Sequence, residues 1–180
     1  MKPAKPPQSI EPTADQLARH GLQLRRYLFG LCGSWELAED LTQQTLLRAW
    51  SARKSFDGRS SVRTWLFVIA RNGFRDHLRR KQTRPEPETM TPETLQIAEN
   101  RPSPARRAGL SEFQAAAADA IAQLPDEQRQ ALALRQSGAL SFPEIAEVLG
   151  VPVATAKSRV RYALLKLADL LAAYRQELES

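Results

Sequence analysis

Cysteine occurs once, at Cys32, and histidine twice, at His20 and His77. One thiol closes no intrachain disulfide, and these three residues make no metal-ligand spacing and no nucleophile–base pair, so no metal, cofactor or catalytic constellation is expected. β-Branched aliphatics are scarce too: Val and Ile total 11, against 26 Ala and 24 Leu among 180 residues. Sheets favour the former and helices the latter, which predicts an all-α fold. No apolar run approaches the ~18 residues that span a bilayer. The Met1 end carries Lys and Pro without the apolar stretch of a signal peptide, so a cytoplasmic protein with no membrane insertion is expected.

What is present is unevenly distributed. Of twelve prolines, four lie between Pro3 and Pro12 and five between Pro85 and Pro104. Without apolar anchors such stretches do not repay their ordering entropy, which predicts a disordered tail over 1–12 and a flexible linker over 85–111. Two small helical domains, 13–84 and 112–180, remain. The net charge of +6 divides unequally between them. Residues 21–84 hold 13 basic and 5 acidic side chains, residues 113–180 hold 7 and 8. One module is strongly basic and the other near neutral.

In the first module a capping box of Thr13 and Gln16 predicts a helix running through Leu17, Leu24, Leu28 and Leu31 to Gly33. Ser34 caps a second, with Leu37, Ala38, Leu41, Thr45 and Ala49 on one face, ending near Lys54. After an interhelical turn at Asp57-Gly58, Ser61 caps a third, with Val62, Trp65, Leu66, Ile69 and Gly73 facing inward, ending near Arg80. In the second module helices are predicted from Ser111 to about Gln123, from Pro125 to near Gly138, from Phe142 to Leu149 under a Ser141/Glu144 capping box, and from Val153 to about Tyr174. Short helix, Gly-containing turn, long helix is the helix-turn-helix pattern.

Three helical faces carry chemistry. On the last helix Ala156, Val160, Leu164, Leu167 and Leu171 form the predicted core line. Opposite lie Thr155, Ser158, Arg161 and Tyr162, flanked by Lys157 and Arg159. The second helix of a helix-turn-helix enters the major groove, where Arg reads guanine and Ser, Thr and Lys contact bases or phosphates. A solvated basic face on an ordinary bundle helix is the alternative, and the turn and capping box just upstream, with four cations and no acid between Lys157 and Lys166, speak against it. On the third helix Arg71, Arg75 and Arg79 recur every four residues, with Arg80, Lys81 and Arg84 behind, which suits a phosphate backbone. Phe56, Trp65, Phe67 and Phe74 accompany this stripe, and unpaired bases stack on such rings. Trp65 is expected in the core, while Phe67 and Phe74 suit either the core or a surface that packs on the other module. On the second helix Glu36, Asp40, Gln43, Gln44 and Leu47 share a polar stripe that suits a protein-binding surface and a merely solvated face equally.

Together these residues resemble the extracytoplasmic-function (ECF) group of bacterial sigma factors. Residues Ala38 to Trp50, reading AEDLTQQTLLRAW, resemble their region 2.2. Ser61 to Asn72, reading SVRTWLFVIARN, with Asp76 and Arg79-Arg80 beyond, resemble regions 2.3 and 2.4. Ser141 to Arg161, with Glu144-Ile145-Ala146, Leu149-Gly150-Val151 and Lys157-Ser158-Arg159, resembles region 4.2. The resemblance implies RNA polymerase core as partner, through the beta-prime clamp helices and the beta flap, with the stripe of Glu36, Asp40, Gln43, Gln44 and Leu47 on the clamp helices. It implies minus-ten DNA contacts by Phe56, Asp57, Arg59, Ser60 and Ser61 around an extruded base, and by Arg71, Asn72, Arg75, Arg79 and Arg80. Minus-thirty-five contacts fall to Thr155, Lys157, Ser158, Arg159, Arg161 and Tyr162. It further implies an anti-sigma factor, and no enzymatic activity of the chain's own. Gln44 stands where the family commonly has an acid, and Ala154 and Ala156 where it has Gly and Val. The rival readings are a sigma-like decoy, which has no need of phosphate contacts, and a dimeric helix-turn-helix repressor, for which no dimerisation helix is evident.

Overall fold

The computed structural model describes residues 11–83 and 112–178, and every regular element among them is helical. The tail residues 1–10 and the segment 84–111, which includes the expected linker, lie outside the described residues. Pro12, assigned to the tail by its composition, is fully buried.

Helix α1 (Ala14–Ala18) carries the expected capping box, with the Thr13 amide donating to Gln16 Oε1 at 2.9 Å. It ends after little more than one turn, so the single helix predicted from Thr13 to Gly33 is two. His20 leaves the helical region (φ −95°, ψ 0°) and α2 (Gly21–Cys32) starts beyond it. Leu17 and Leu24 are both buried and seven residues apart, a spacing that an unbroken helix satisfies equally well, so the periodicity does not reveal the break. The turn lets α1 pack against α3 and α4. Gly33 closes α2 with φ 61°, a left-handed cap that glycine adopts without steric cost. Ser34 accepts from the Leu37 amide and opens α3 (Trp35–Ala52), followed by a 3-10 turn at Arg53–Ser55. Thr42 and Thr45 are buried in α3, and their hydroxyls donate to the Ala38 and Leu41 carbonyls at 2.7 Å, so neither polar group is left unpaired. Helix α4 (Val62–Thr83) begins where the Thr64 amide donates to Ser61 Oγ at 3.0 Å.

The second module contains α5 (Glu112–Ala122), α6 (Asp126–Gln136), α7 (Phe142–Leu149) and α8 (Val153–Leu178). Arg129 is buried where α5 meets α6. It donates to the Ala122 and Leu124 carbonyls and pairs with Asp126, satisfying carbonyls that the end of α5 leaves open. Gly150, at φ 69°, turns α7 into the helix-turn-helix loop. A small cluster of Leu124, Leu132 and Ala163 fixes α8 to α6.

The larger core belongs to both modules. Leu24, Tyr27, Leu28 and Leu31 of α2 and Phe67, Ala70 and Phe74 of α4 are in one buried cluster with Ala131, Ala133 and Leu134 of α6 and Ile145, Val148 and Leu149 of α7. Helix α2 lies on α6 and α4 on α7. The approach of α2 to α6 is close: a Cβ on Gly30 would stand 3.1 Å from that of Ala133. Phe67 and Phe74 are core, while Val62, Trp65 and Ile69 are only partly buried against it.

Candidate polymerase and nucleic-acid interfaces

The apolar line of α3 turns inward, which leaves Glu36, Asp40, Gln43, Gln44 and Leu47 all exposed on its other side. Leu47 is 67% exposed, a large apolar side chain with polar neighbours and nothing covering it. Trp50, one helical step further along the same stripe, is also exposed and carries the Arg53 guanidinium 4.0 Å above its ring. The i, i+3 spacing of Leu47 and Trp50 would have extended the stripe from sequence alone.

The loop before α4 is organised around a short turn in which the Arg59 amide donates to Asp57 Oδ1 at 3.0 Å and Gly58 adopts φ 70°. Asp57 and Arg59 also pair with each other at 3.3 Å, both well exposed, and Ser61 is exposed while Ser60 is half-buried. Phe56 tucks inward against Trp65, their ring centroids 5.2 Å apart.

The cationic stripe of α4 is divided. Asn72, Arg75, Arg79 and Arg80 are exposed, and Arg79 pairs with Asp76 at 3.2 Å. Arg71 is not on an open face: it is half-buried against the second module, donating to Gln130 Oε1 at 3.1 Å and to the Val148 carbonyl at 3.3 Å. Burial lowers its pKa from the ordinary arginine value, with the nearby Arg75 and Arg159 charges acting in the same direction. The helical wheel assigns α4 one inner face, but α3 covers it on one side and α7 on another. A cleft of about 540 Å³ beside Arg71 is lined by Asn72, Arg75 and Arg79 on α4 and by Asp126 and Gln130 on α6. Behind Arg71 the Tyr27 hydroxyl is buried with no hydrogen-bond partner, and desolvation pushes its pKa up.

On α8, Lys157, Arg161 and Tyr162 are exposed, while Thr155 and Ser158 are half-buried. The Ser158 hydroxyl donates to the Thr155 carbonyl at 3.0 Å, and Arg159 is drawn aside to Glu127 at 2.6 Å. Leu164, expected in the core, is 52% exposed. The buried line runs through Ala156, Val160 and Ala163, with Leu167 partly buried behind it, and Leu164 lies one residue, ~100°, round from Ala163. It opens instead into an apolar groove of about 360 Å³ with Phe142, Val160 and Leu165, bordered by Lys157 and Arg161.

Residues 17–84 match the Sigma-70 region 2 family and residues 114–167 the Sigma-70 region 4 family. The chain is 36% identical over 148 residues to the ECF RNA polymerase sigma factor EcfG of Rhodopseudomonas palustris, covering 82% of this chain and 78% of that one. This chain belongs to the ECF sigma factors. Two solved structures resemble it at 28% identity. The sigma factor RpoE in complex with the anti-sigma factor NepR, from Bartonella quintana, has a TM-score of 0.64 and is matched over 88% of this chain and 95% of that one. CnrH in complex with the cytosolic domain of CnrY has a TM-score of 0.60, over 88% and 86%.

Sigma factors bring polymerase to promoters and leave the chemistry to it. In this sigma factor the region 2 and region 4 modules are in contact. Two charged groups that link them, Arg63 and Glu144, have no mark in the sequence beyond the capping role of Glu144. Arg63 Nη2 donates to Glu144 Oε1 at 2.5 Å, while the Ser141 amide donates to the other oxygen at 2.8 Å. Burial alone would raise the Glu144 pKa, but the Ser141 hydroxyl and amide and the Arg63 guanidinium outweigh it and hold it at about 2. No described helix is long and apolar enough to cross a membrane.

Proposed function

We propose that this sigma factor, acting in the cytoplasm, binds core RNA polymerase through the α3 stripe of Glu36, Asp40, Gln43, Gln44 and Leu47, extended by Trp50. The loop of Phe56, Asp57, Arg59, Ser60 and Ser61 holds an extruded minus-ten base, at a cost of a few kcal/mol that backbone cations offset. Asn72, Arg71, Arg75, Arg79 and Arg80 contact the neighbouring strand. The outer face of α8, through Thr155, Lys157, Ser158, Arg161 and Tyr162, reads the minus-thirty-five element; Arg159 joins it on leaving Glu127. The module boundaries are 13–84 and 112–180. The exposed stripe on α3, in the segment that resembles region 2.2, is the observation that carries this reading. An anti-sigma protein is the expected regulator, a reading supported by the likeness to the NepR-bound and CnrY-bound proteins.

Run-off transcription with purified core polymerase and a genomic promoter library tests the reading. Template-dependent initiation only in the presence of this chain is the expected result. Absence of stimulation on every promoter would sink it.

A further inference from the structure

Between Arg71 and Arg84 six cations stand with a single acid, Asp76. It is half-buried and lines the same cleft as Asn72, Arg75 and Arg79, so it lies on the face proposed to meet minus-ten DNA. A carboxylate there repels phosphate and lowers the attraction that the arginines supply. Its contacts give it a different use. Oδ1 accepts from Arg79 Nη2 at 3.2 Å, and Oδ2 is 3.8 Å from Nη1 of Arg48, which comes from α3.

Arg48 reaches this position across Gly73. A Cβ built on Gly73 would stand 3.2 Å from Arg48 Nη1, tighter than ordinary contact. Glycine inside a 22-residue helix costs helix stability relative to alanine, so the missing side chain calls for a local reason. The notch that seats Arg48 supplies it. Gly73 and Asp76 are three residues apart and share a face of α4, which puts the notch and the carboxylate side by side. Stability of the fold is not an adequate reason for the cluster, because all three charged side chains reach solvent and exposed ion pairs contribute little.

Resting on the functional reading above, we propose that Asp76 is a positioning residue for minus-ten recognition: anchored to α3 by Arg48 through the Gly73 notch, it holds the Arg79 guanidinium in place for a backbone phosphate. A guanidinium carries donors enough to serve a carboxylate and a phosphate together. An arginine already held in place loses less rotamer freedom on binding. Arg48 directly follows Leu47 in the proposed polymerase-binding helix, so the cluster also joins the surface that grips polymerase to the one that grips DNA.

Anisotropy of a labelled minus-ten fork DNA, titrated with holoenzyme assembled from purified core polymerase, tests this with Asp76→Asn, Arg79→Ala and the double variant. Charge alone predicts that Asp76→Asn, which removes an acid from a cationic face, binds more tightly. Positioning predicts the reverse, binding weaker by about three- to tenfold, the worth of one ordered side chain. In the Arg79→Ala background that loss should vanish, since the side chain to be positioned is gone. Equal or tighter binding by Asp76→Asn overturns the proposal. An equal loss in both backgrounds also overturns it, because it marks a merely structural role. Gly73→Ala gives an independent reading: the added methyl displaces Arg48, so binding should fall by about twofold or more while the urea midpoint is held or raised. Unchanged binding overturns the anchoring by Arg48. If Arg79→Ala alone leaves binding unchanged, the functional reading fails at that residue and the positioning role with it; if Arg79→Ala weakens binding and Asp76→Asn does not, only the positioning role fails.

Discussion

Glu144 serves two structures at once: one oxygen closes the capping box of α7 on Ser141, and the other accepts from Arg63 on α4, 81 residues earlier in the chain. Helix capping within the second module is thereby tied to its docking on the first. Glu144→Ala should cost about 1–3 kcal/mol in urea unfolding, the sum of a lost cap and a lost charged hydrogen bond. Glu144→Gln should recover part of the cap.

The same carboxylate sets a pH dependence. Its folded-state pKa of about 2 lies below its ordinary 4.5. A depressed acid contributes stability that is fully present above the unfolded value and is lost as pH falls toward the folded one. Midpoints of urea unfolding should therefore decline between about pH 4.5 and pH 2. Glu144→Gln should flatten that decline; an identical slope in both proteins counts against the Arg63 contact.

Tyr27 buries a hydroxyl without a partner. Removing an unsatisfied polar group while keeping the ring is expected to be neutral or stabilising by up to about 1 kcal/mol. Tyr27→Phe should raise the thermal midpoint or leave it unchanged, with the contact to Phe67, at 5.4 Å between centroids, intact. A clear loss of stability would reveal a hydrogen bond to this hydroxyl.

Arg129 gives the opposite case, since its guanidinium occupies two carbonyls at the α5–α6 turn. Arg129→Ala should destabilise the chain by about 2 kcal/mol or more, as both acceptors are left buried and unpaired. Denaturant titration measures it. Arg59→Ala, at a side chain 90% exposed, should change stability by no more than about 0.5 kcal/mol.

DNA contacts separate by kind. Arg161→Ala should weaken promoter binding by ~1–3 kcal/mol and relax one base position, whereas Arg75→Ala should weaken it across sequences and reduce the salt slope by about one. Anisotropy titrations at several salt concentrations distinguish them; an unchanged slope for Arg75→Ala removes that residue from the phosphate contacts.

The amino-acid order by itself determined the helical class, both capping boxes, the helix ends at Gly33 and Gly150, and the polar stripe of α3. These are local: propensity, caps and turn glycines act within a few residues, and a helix buried on one side shows its period directly. The family was legible for the same reason, because its motifs are contiguous stretches of such helices. Tertiary structure alone decided the break at His20, the exposure of Leu164 and the burial of Arg71. A wheel places residues around an axis without saying how many sides are covered, and α4 is covered on two. Above all, the pairing of Arg63 with Glu144 and the approach of Gly30 to Ala133 join residues 81 and 103 positions apart in sequence. Contacts across such separations depend on how two helical layers fit, which no periodicity within either layer encodes.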